Sequence, residues 1–357
     1  MSEFTTIVTP STLQPGFAVF RRALLNMGAV IAGAYGLNVT LFFLLRLTVG
    51  EQWEIVGWFN SFMHLLVVPS VVLFPLGLLL RRRIVIALLV LPMLVCLSIY
   101  VPAFLPRPAV AAPETAPRLT ILTYNLKSQA GNLEPIANVI REANADVVAL
   151  QELGNNATAY LDTTFADLYP YRALHPQEDY PVPGQGILSR YPITSDEYWR
   201  IYLGHQRVNL NVRGQTVTLY NIHLLQPLMR GGFALREREI TAVLDRVRTE
   251  AGPLLFVGDF NMSDQSEPYQ EVSALFEDTY RQVGAGMGFT FPAGVPQFQA
   301  LSDIVLLNIF PLARLDYIFH NAAFQPLDAR VWPDSGGSDH RPLLATLALV
   351  TNDNDGQ

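Results

Sequence analysis

Residues 119–126, Leu-Thr-Ile-Leu-Thr-Tyr-Asn-Leu, and residues 147–153, Val-Val-Ala-Leu-Gln-Glu-Leu, decide how the carboxyl-terminal part of this chain is read. The first run alternates and is rich in β-formers; the second opens with the continuous apolar stretch of a buried strand. Between them Ile136, Val139, Ile140 and Ala143 recur at helical spacing, so the order strand, helix, strand opens the domain. Further strands are expected over Gly186–Ile193 and over Arg207–Val212 and Gln215–Leu224, a hairpin about Arg213-Gly214. Others are expected over Pro253–Val257, Leu315–His320, Ala329–Trp332 and Arg341–Leu349. A charged amphipathic helix is expected over Phe233–Arg248, with Arg230, Arg236, Arg238, Glu237 and Glu239 on a solvated face. Strands dominate with helices between them, which is the pattern of an α/β or α+β domain whose sheets are covered by helices.

Working outward, the rest of the chain differs in kind. Of 357 residues, half are hydrophobic, 15% are charged, and the mean hydropathy is +0.25, too apolar for a disordered chain. Residues 1–118 hold 8 arginines against 4 acids, net +4, whereas residues 119–357 hold 16 basic against 27 acidic residues, net −11. The apolar excess lies in three runs, 23–45, 55–80 and 84–105, each long enough at ~1.5 Å per residue to cross the ~30 Å of a bilayer. The expected organisation is a cytoplasmic segment 1–22, three transmembrane helices within 23–105, a Pro/Ala-rich linker 106–118 that spaces the domain from the bilayer, a soluble domain 119–350 and a tail 351–357. Arginines stay cytoplasmic, and the clusters Arg21-Arg22 and Arg81-Arg82-Arg83 share one side only if the amino terminus is inside. The domain is then extracytoplasmic, on a multi-pass protein of the cell membrane. His64 has no acidic partner in any span and reads as a residue near a helix interface or the lipid boundary. The single cysteine, Cys96, excludes intramolecular disulfides and zinc–thiolate sites.

The expected strands carry acid, amide or imidazole groups at or near their ends: Asn125, Glu152, His223, Asp259 with Asn261, and Asp316; Asp339 and His340 precede the last strand. One such residue usually caps a turn, but the set fits one chemistry. A hard cation such as Mg²⁺ takes one or two carboxylates and keeps waters and substrate phosphate elsewhere, and Glu152 is the best candidate ligand. A phosphoryl transition state needs neutral or cationic donors, which Asn125, Asn261, His223 and His340 supply. Asp259 suits the orientation and deprotonation of a water, and Asp316 suits the second nitrogen of His340.

The ordered set Asn125, Gln151-Glu152, Asn221-Ile222-His223, Gly258-Asp259-Phe260-Asn261, Arg314-Leu315-Asp316-Tyr317 and Ser338-Asp339-His340-Arg341-Pro342 resembles the endonuclease/exonuclease/phosphatase family. The resemblance spans about residues 119–350. It implies a four-layer α/β sandwich of DNase-I-like type and Mg²⁺- or Mn²⁺-dependent hydrolysis of a phosphoester by an activated water. By this resemblance Glu152 binds metal with Asn125 nearby, and Asp339 completes the metal environment. Asp259 orients the water with Asn261 in support; His340, paired with Asp316, and His223 contact the scissile phosphate. Two departures stand out. Some nuclease branches carry an acid where this chain has Lys127, its only lysine, which either contacts substrate phosphate or is a plain surface residue. The acid that pairs with His223 in some members is not evident, with Gln185 or Glu178 as guesses.

The substrate is narrowed less. A net −11 domain without a dense basic run is poorly suited to nucleic acid, while a short tether brings lipid head groups to high local concentration. Nucleic acid and a phospholipid or inositol-phosphate head group both remain open as the phosphoester, with the bilayer as a further partner and no obligate protein partner evident. The alternative, a membrane-anchored scaffold that kept the fold and lost catalysis, would be favoured by gaps at Glu152, Asp259 or His340, and none is missing.

Overall fold

In the computed structural model, residues 15–105, 107, 111–127, 131–177, 184–228, 230–293 and 311–350 are described. The tail 351–357, Glu178 and the first fourteen residues lie outside them. The chain divides into two compact units, one of Met1–Thr48 and His64–Ile99, the other of Val49–Met63 and Tyr100–Gln357.

The first unit holds helices α1 (Pro15–Thr48), α3 (Met63–Val67, from its second residue), α4 (Ser70–Leu79) and most of α5 (Arg83–Tyr100). Tyr35 donates to the carbonyl of Leu66 at 2.6 Å, Arg82 donates to Asn26 Oδ1 at 2.6 Å, and Ala32 packs with Val85 and Leu89. Two helices, Gly16–Thr48 and Arg83–Phe104, are long and apolar enough to cross a membrane, or three if the bent pair Glu54–Ser61 and Met63–Leu79 is one span. The expected span 55–80 is therefore interrupted. Its first turns form α2 (Glu54–Ser61), which belongs to the other unit, because polar groups that a hydropathy window averages away find partners there.

The second unit contains two six-stranded sheets. The first has the order β11-β12-β1-β2-β4-β3, from Phe324–Val331, Leu343–Leu349, Arg118–Asn125, Val147–Leu153, Gly184–Ser189 and Tyr171–His175. The second has the order β5-β6-β7-β8-β10-β9, from Ile193–Arg200, Gly204–Val212, Gln215–His223, Leu254–Asp259, Asp316–His320 and Glu277–Asp278. Helices α6 (Glu134–Ala143) and α7 (Asn155–Thr164) cover the first sheet; α8 (Gly232–Val247) and α9 (Glu267–Ser273) cover the second, and α10 (Thr279–Val283) follows β9.

Period-2 side-chain alternation explains the layers. In β1 Leu119 and Ile121 join the core between the sheets, while Leu122 and Tyr124 face α6. In β2 Val147 and Ala149 point inward and Val148 and Leu150 outward; in β7 and β8 Val217, Leu219, Leu255 and Val257 point inward and Tyr220, Ile222 and Phe256 face α8. Both faces are buried, so these strands read as apolar runs. Among the described residues only β1–β2 and β7–β8 are parallel pairs, which brings the carboxyl ends of four central strands to matching ends of their sheets.

Several expectations are corrected. Strands β3, β5 and β9 and helices α7, α9 and α10 are additional elements; β5 is mostly exposed on an edge and lacked an apolar signature. Within the linker, Arg107 donates to the carbonyl of Tyr280 at 2.8 Å, and the carbonyl of Ala111 accepts from Gln325 at 3.0 Å. Arg236 and Glu239 are buried rather than solvated. Glu239 accepts from the main-chain N–H groups of Leu203 and Leu225 and lies 3.2 Å from His205, which tethers α8 to the second sheet.

Candidate active site

Strand register assembles the rim. His223 pairs with Asp259, and Asp259 with Asp316, so three polar residues stand in a row across β7, β8 and β10. Each has the parity of the inward residues of its own strand, as does Asn125 in β1. Below them Gln151 Nε2 donates to Asn221 Oδ1 at 2.7 Å, and Asn221 donates to the carbonyl of Leu150 at 3.0 Å, a buried polar bridge that locks one sheet to the other. A bulge between Gln151 and Leu153 takes Glu152 out of the alternation. Its φ of +56°, with +56° at Lys127 and +46° at Asn261, places three non-glycine residues of the rim in the left-handed region. Such strain is held by surrounding contacts and clusters at functional sites.

Gly258 is required where β7 and β8 converge. Its φ is +136°, and a Cβ there would lie 1.9 Å from the carbonyl oxygen of Ile222.

The side chains form one connected group. Asn125 Nδ2 donates to Asp259 Oδ2 at 2.9 Å and to Glu152 Oε1 at 3.2 Å, while its Oδ1 accepts from the main chain of Lys127. The Asn261 main-chain N–H donates to Asp259 Oδ1 at 2.9 Å, and its Nδ2 donates to the carbonyl of Leu224 at 2.8 Å. His340 Nδ1 lies 2.8 Å from Asp316 Oδ2, and its Nε2 lies 3.7 Å from Asp259 Oδ2. His223 Nε2 lies 3.7 Å from Asp259 Oδ2 and 3.9 Å from Glu152 Oε1. Gln185 instead donates to the carbonyl of Gly204.

Two contributors were not singled out from sequence. Ser338 donates to the carbonyl of Asn125 at 2.6 Å and accepts from His340 N–H, joining the first strand to the last loop. The ring of Phe291 packs 4.9 Å from that of His340. Ser338 stands within the quoted Ser-Asp-His run, whereas Phe291 carries no local signal. Lys127 pairs through its Nζ with Asp339 Oδ2 at 3.3 Å.

Burial sets the proton affinities. Burial pushes the Asp259 carboxyl up to about 6 against the opposing pull of His340. Burial alone would depress His340, but the carboxylates of Asp316 and Asp259 outweigh it and push the imidazole up to about 10. His223, without a close hydrogen-bonded acid, is lowered by burial. One imidazole is thus held as a cation and the other is biased toward neutrality.

For a cation, two donor groups compete. Asp259, Asp316 and His340 offer ligand atoms within 4.8 Å of one another. That proximity is the hydrogen-bonded dyad itself, and an imidazole held protonated is a poor ligand. The Glu152 carboxylate, with its side chain 18% exposed at the rim, suits a hard cation that retains waters. Asn125 lies beside it through its amide nitrogen, and Asp339, next to His340 in the chain, pairs with Lys127.

A two-sheet sandwich flanked by helices, with carboxylates, amides and two imidazoles gathered at one rim, defines the DNase-I-like class. Residues 122–340 match the endonuclease/exonuclease/phosphatase family, and the chain belongs to that family of phosphoric ester hydrolases, which is generally dependent on divalent metals. Solved structures of similar fold include an endonuclease/exonuclease/phosphatase from Beutenbergia cavernae, 23% identical, with a TM-score of 0.53 over 66% of this chain and 72% of that one. Another is D. rerio TDP2 complexed with a single-strand DNA product, 19% identical, with a TM-score of 0.51 over 64% and 98% of the two chains. A Bacteroides vulgatus family member is 16% identical, with a TM-score of 0.51 over 65% and 99%. No curated protein matches the chain in sequence.

Proposed function

We propose that this protein is a membrane-anchored, divalent-cation-dependent phosphodiesterase that uses an activated water. The observation that carries the reading is the row His223, Asp259, Asp316 facing Asn125 and Glu152, with His340 clamped by Asp316. Asp259, its two oxygens fixed by Asn125 Nδ2 and the Asn261 N–H, takes the proton of the attacking water as the water oxygen bonds to phosphorus and the P–O bond to the leaving alcohol breaks, the departing alkoxide being protonated by solvent. The His340 imidazolium and His223 donate to the non-bridging phosphate oxygens, where charge develops. Mg²⁺ or Mn²⁺ held by Glu152, with Asn125 and Asp339 about it, would neutralise phosphate charge and favour ionisation of the water. A nucleic acid strand and a lipid head group present the same phosphodiester.

For the membrane section, the reading is three crossings with the amino terminus cytoplasmic and the catalytic domain outside. Val49–Met63 belongs to the same compact unit as Tyr100–Gln357, which supports an even number of crossings between them. Arg82 bonded to Asn26 supports a shared end for the basic clusters, which the positive-inside rule assigns to the cytoplasm.

The test is full-length protein in lipid nanodiscs with Mg²⁺, given duplex DNA, single-stranded RNA, phospholipid and bis(p-nitrophenyl) phosphate. Hydrolysis abolished by chelator and by Glu152→Gln is expected; hydrolysis that survives both would refute it. A reporter after Gln357 is expected outside the cell, and a cytoplasmic signal would overturn the crossing count.

A further inference from the structure

Arg236 is the largest buried side chain of α8, 1% exposed, and its guanidinium sits 5.1 Å from the ring centre of Phe233. Its Nη1 donates to the main-chain carbonyl of Asn261, the last residue of the Gly-Asp-Phe-Asn turn. A buried guanidinium needs a counter-charge. Among the described residues the carboxylate within ion-pair distance is Glu51, whose Oε2 accepts from Nη2 at 3.1 Å. Glu51 lies 185 residues earlier, in the loop after the first apolar helix, and is itself 5% exposed.

This loop is fitted to the catalytic unit. Glu51 Oε1 accepts from Asn60 Nδ2 at 2.9 Å, and the Glu51 N–H donates to Glu267 at 3.0 Å. Ser263, two residues past the turn, donates to the carbonyl of Asn60 at 3.3 Å, and Glu54 accepts from the Gly231 N–H at the start of α8. At Gly57 a Cβ would come within 2.4 Å of the Phe233 ring, so α2 lies directly against α8. Asn261 thus stands between two holds: its N–H on Asp259 and its carbonyl on Arg236, with φ at +46°.

We propose that Glu51 is a positioning residue for the catalytic turn: through Arg236 it fixes the Asn261 carbonyl, keeps the turn left-handed and so aims the Asp259 carboxylate. The loop between the first two apolar helices therefore completes the active site, and the catalytic domain alone would carry an uncompensated buried arginine. The inference rests on the phosphodiesterase reading for its kinetic test, and a second readout stands apart from activity.

The experiment uses the full chain in nanodiscs with bis(p-nitrophenyl) phosphate. Glu51→Gln is expected to lower kcat about tenfold to a hundredfold with KM changed less than threefold, because the loss is in aim rather than binding. The paired variant Glu51→Met with Arg236→Met removes both buried charges, so thermal stability should return toward wild type. Its kcat should stay low, since the Asn261 carbonyl has lost its donor. A merely structural role predicts kcat recovering with stability in the paired variant, and that result would overturn the proposal. Hydrogen exchange over residues 258–264 is expected to quicken in Glu51→Gln whether or not the substrate is cleaved; unchanged exchange would also overturn it. Inactivity of the wild type together with quickened exchange would strike the phosphodiesterase reading and leave the positioning role standing.

Discussion

Replacing Asp316 by Asn tests the dyad most directly, because Asn keeps an acceptor for His340 Nδ1 and removes only charge. His340 is raised from an ordinary 6.5 to about 10, a preference for the imidazolium of order 5 kcal/mol. Asp316 at 2.8 Å and Asp259 at 3.7 Å supply most of it, with a smaller share from Asp339. If the nearer carries half or more, its removal takes away of order 3 kcal/mol, which lowers the imidazole by roughly two pH units. The sign follows: a raised histidine favours folding fully below its unfolded value and loses that contribution as pH rises through its folded value. In the variant that loss, and the alkaline fall of kcat/KM, should both move to lower pH. A shift of that size leaves roughly a tenth as much imidazolium at pH 9, so the variant's loss there should exceed by about tenfold its loss near pH 6, where both forms carry the cation. The assay is the pH profile of bis(p-nitrophenyl) phosphate hydrolysis, alongside NMR titration of the His340 ring. An alkaline limb and a ring titration both within half a pH unit of wild type would refute the electrostatic account.

Other outcomes follow from the same geometry. Wild-type kcat/KM is expected to rise through about 6 as Asp259 ionises and fall through about 10 as His340 loses its proton; a profile flat from pH 5 to 7 would remove Asp259 as the base. Glu152→Gln should weaken Mg²⁺ binding by at least about tenfold in calorimetry while the unfolding temperature changes little, and wild-type metal affinity would dismiss Glu152 as the ligand. Gly258→Ala places a methyl against the Ile222 carbonyl and should cost roughly 3 kcal/mol, lowering Tm by about 6–12 °C; an unchanged Tm would show that β7 and β8 can separate there without penalty.

Much of the site was legible because polar residues at the ends of apolar strands keep the strand's parity. Asn125 follows Leu119, Ile121 and Thr123, and Asp259 follows Leu255 and Val257, so each faces between the sheets as soon as its strand does. Glu152 breaks this rule, since the bulge that frees it follows from pairing with β4 and leaves no mark on β2 itself. The helix over residues 233–248 was legible as amphipathic, but the burial of Arg236 was not. Periodicity sorts apolar from polar, and a buried arginine looks solvated until its partner is known.

By itself, then, the sequence determined an α/β or α+β domain of strands with helical covers and the polar groups at its strand ends, and the resemblance of those motifs implied the family and its two packed sheets. These are local matters, set by alternation, strand ends and short motifs. The tertiary structure decided the pairs: Asp316 with His340, Lys127 with Asp339, Gln151 with Asn221, and Glu51 with Arg236. It also decided that α2 belongs with the catalytic unit rather than with an uninterrupted membrane helix. The physical reason is common to all of them. A hydrogen bond or ion pair between residues distant in the chain depends on sheet register and packing, whereas composition and periodicity report only what each segment buries, not what it buries it against.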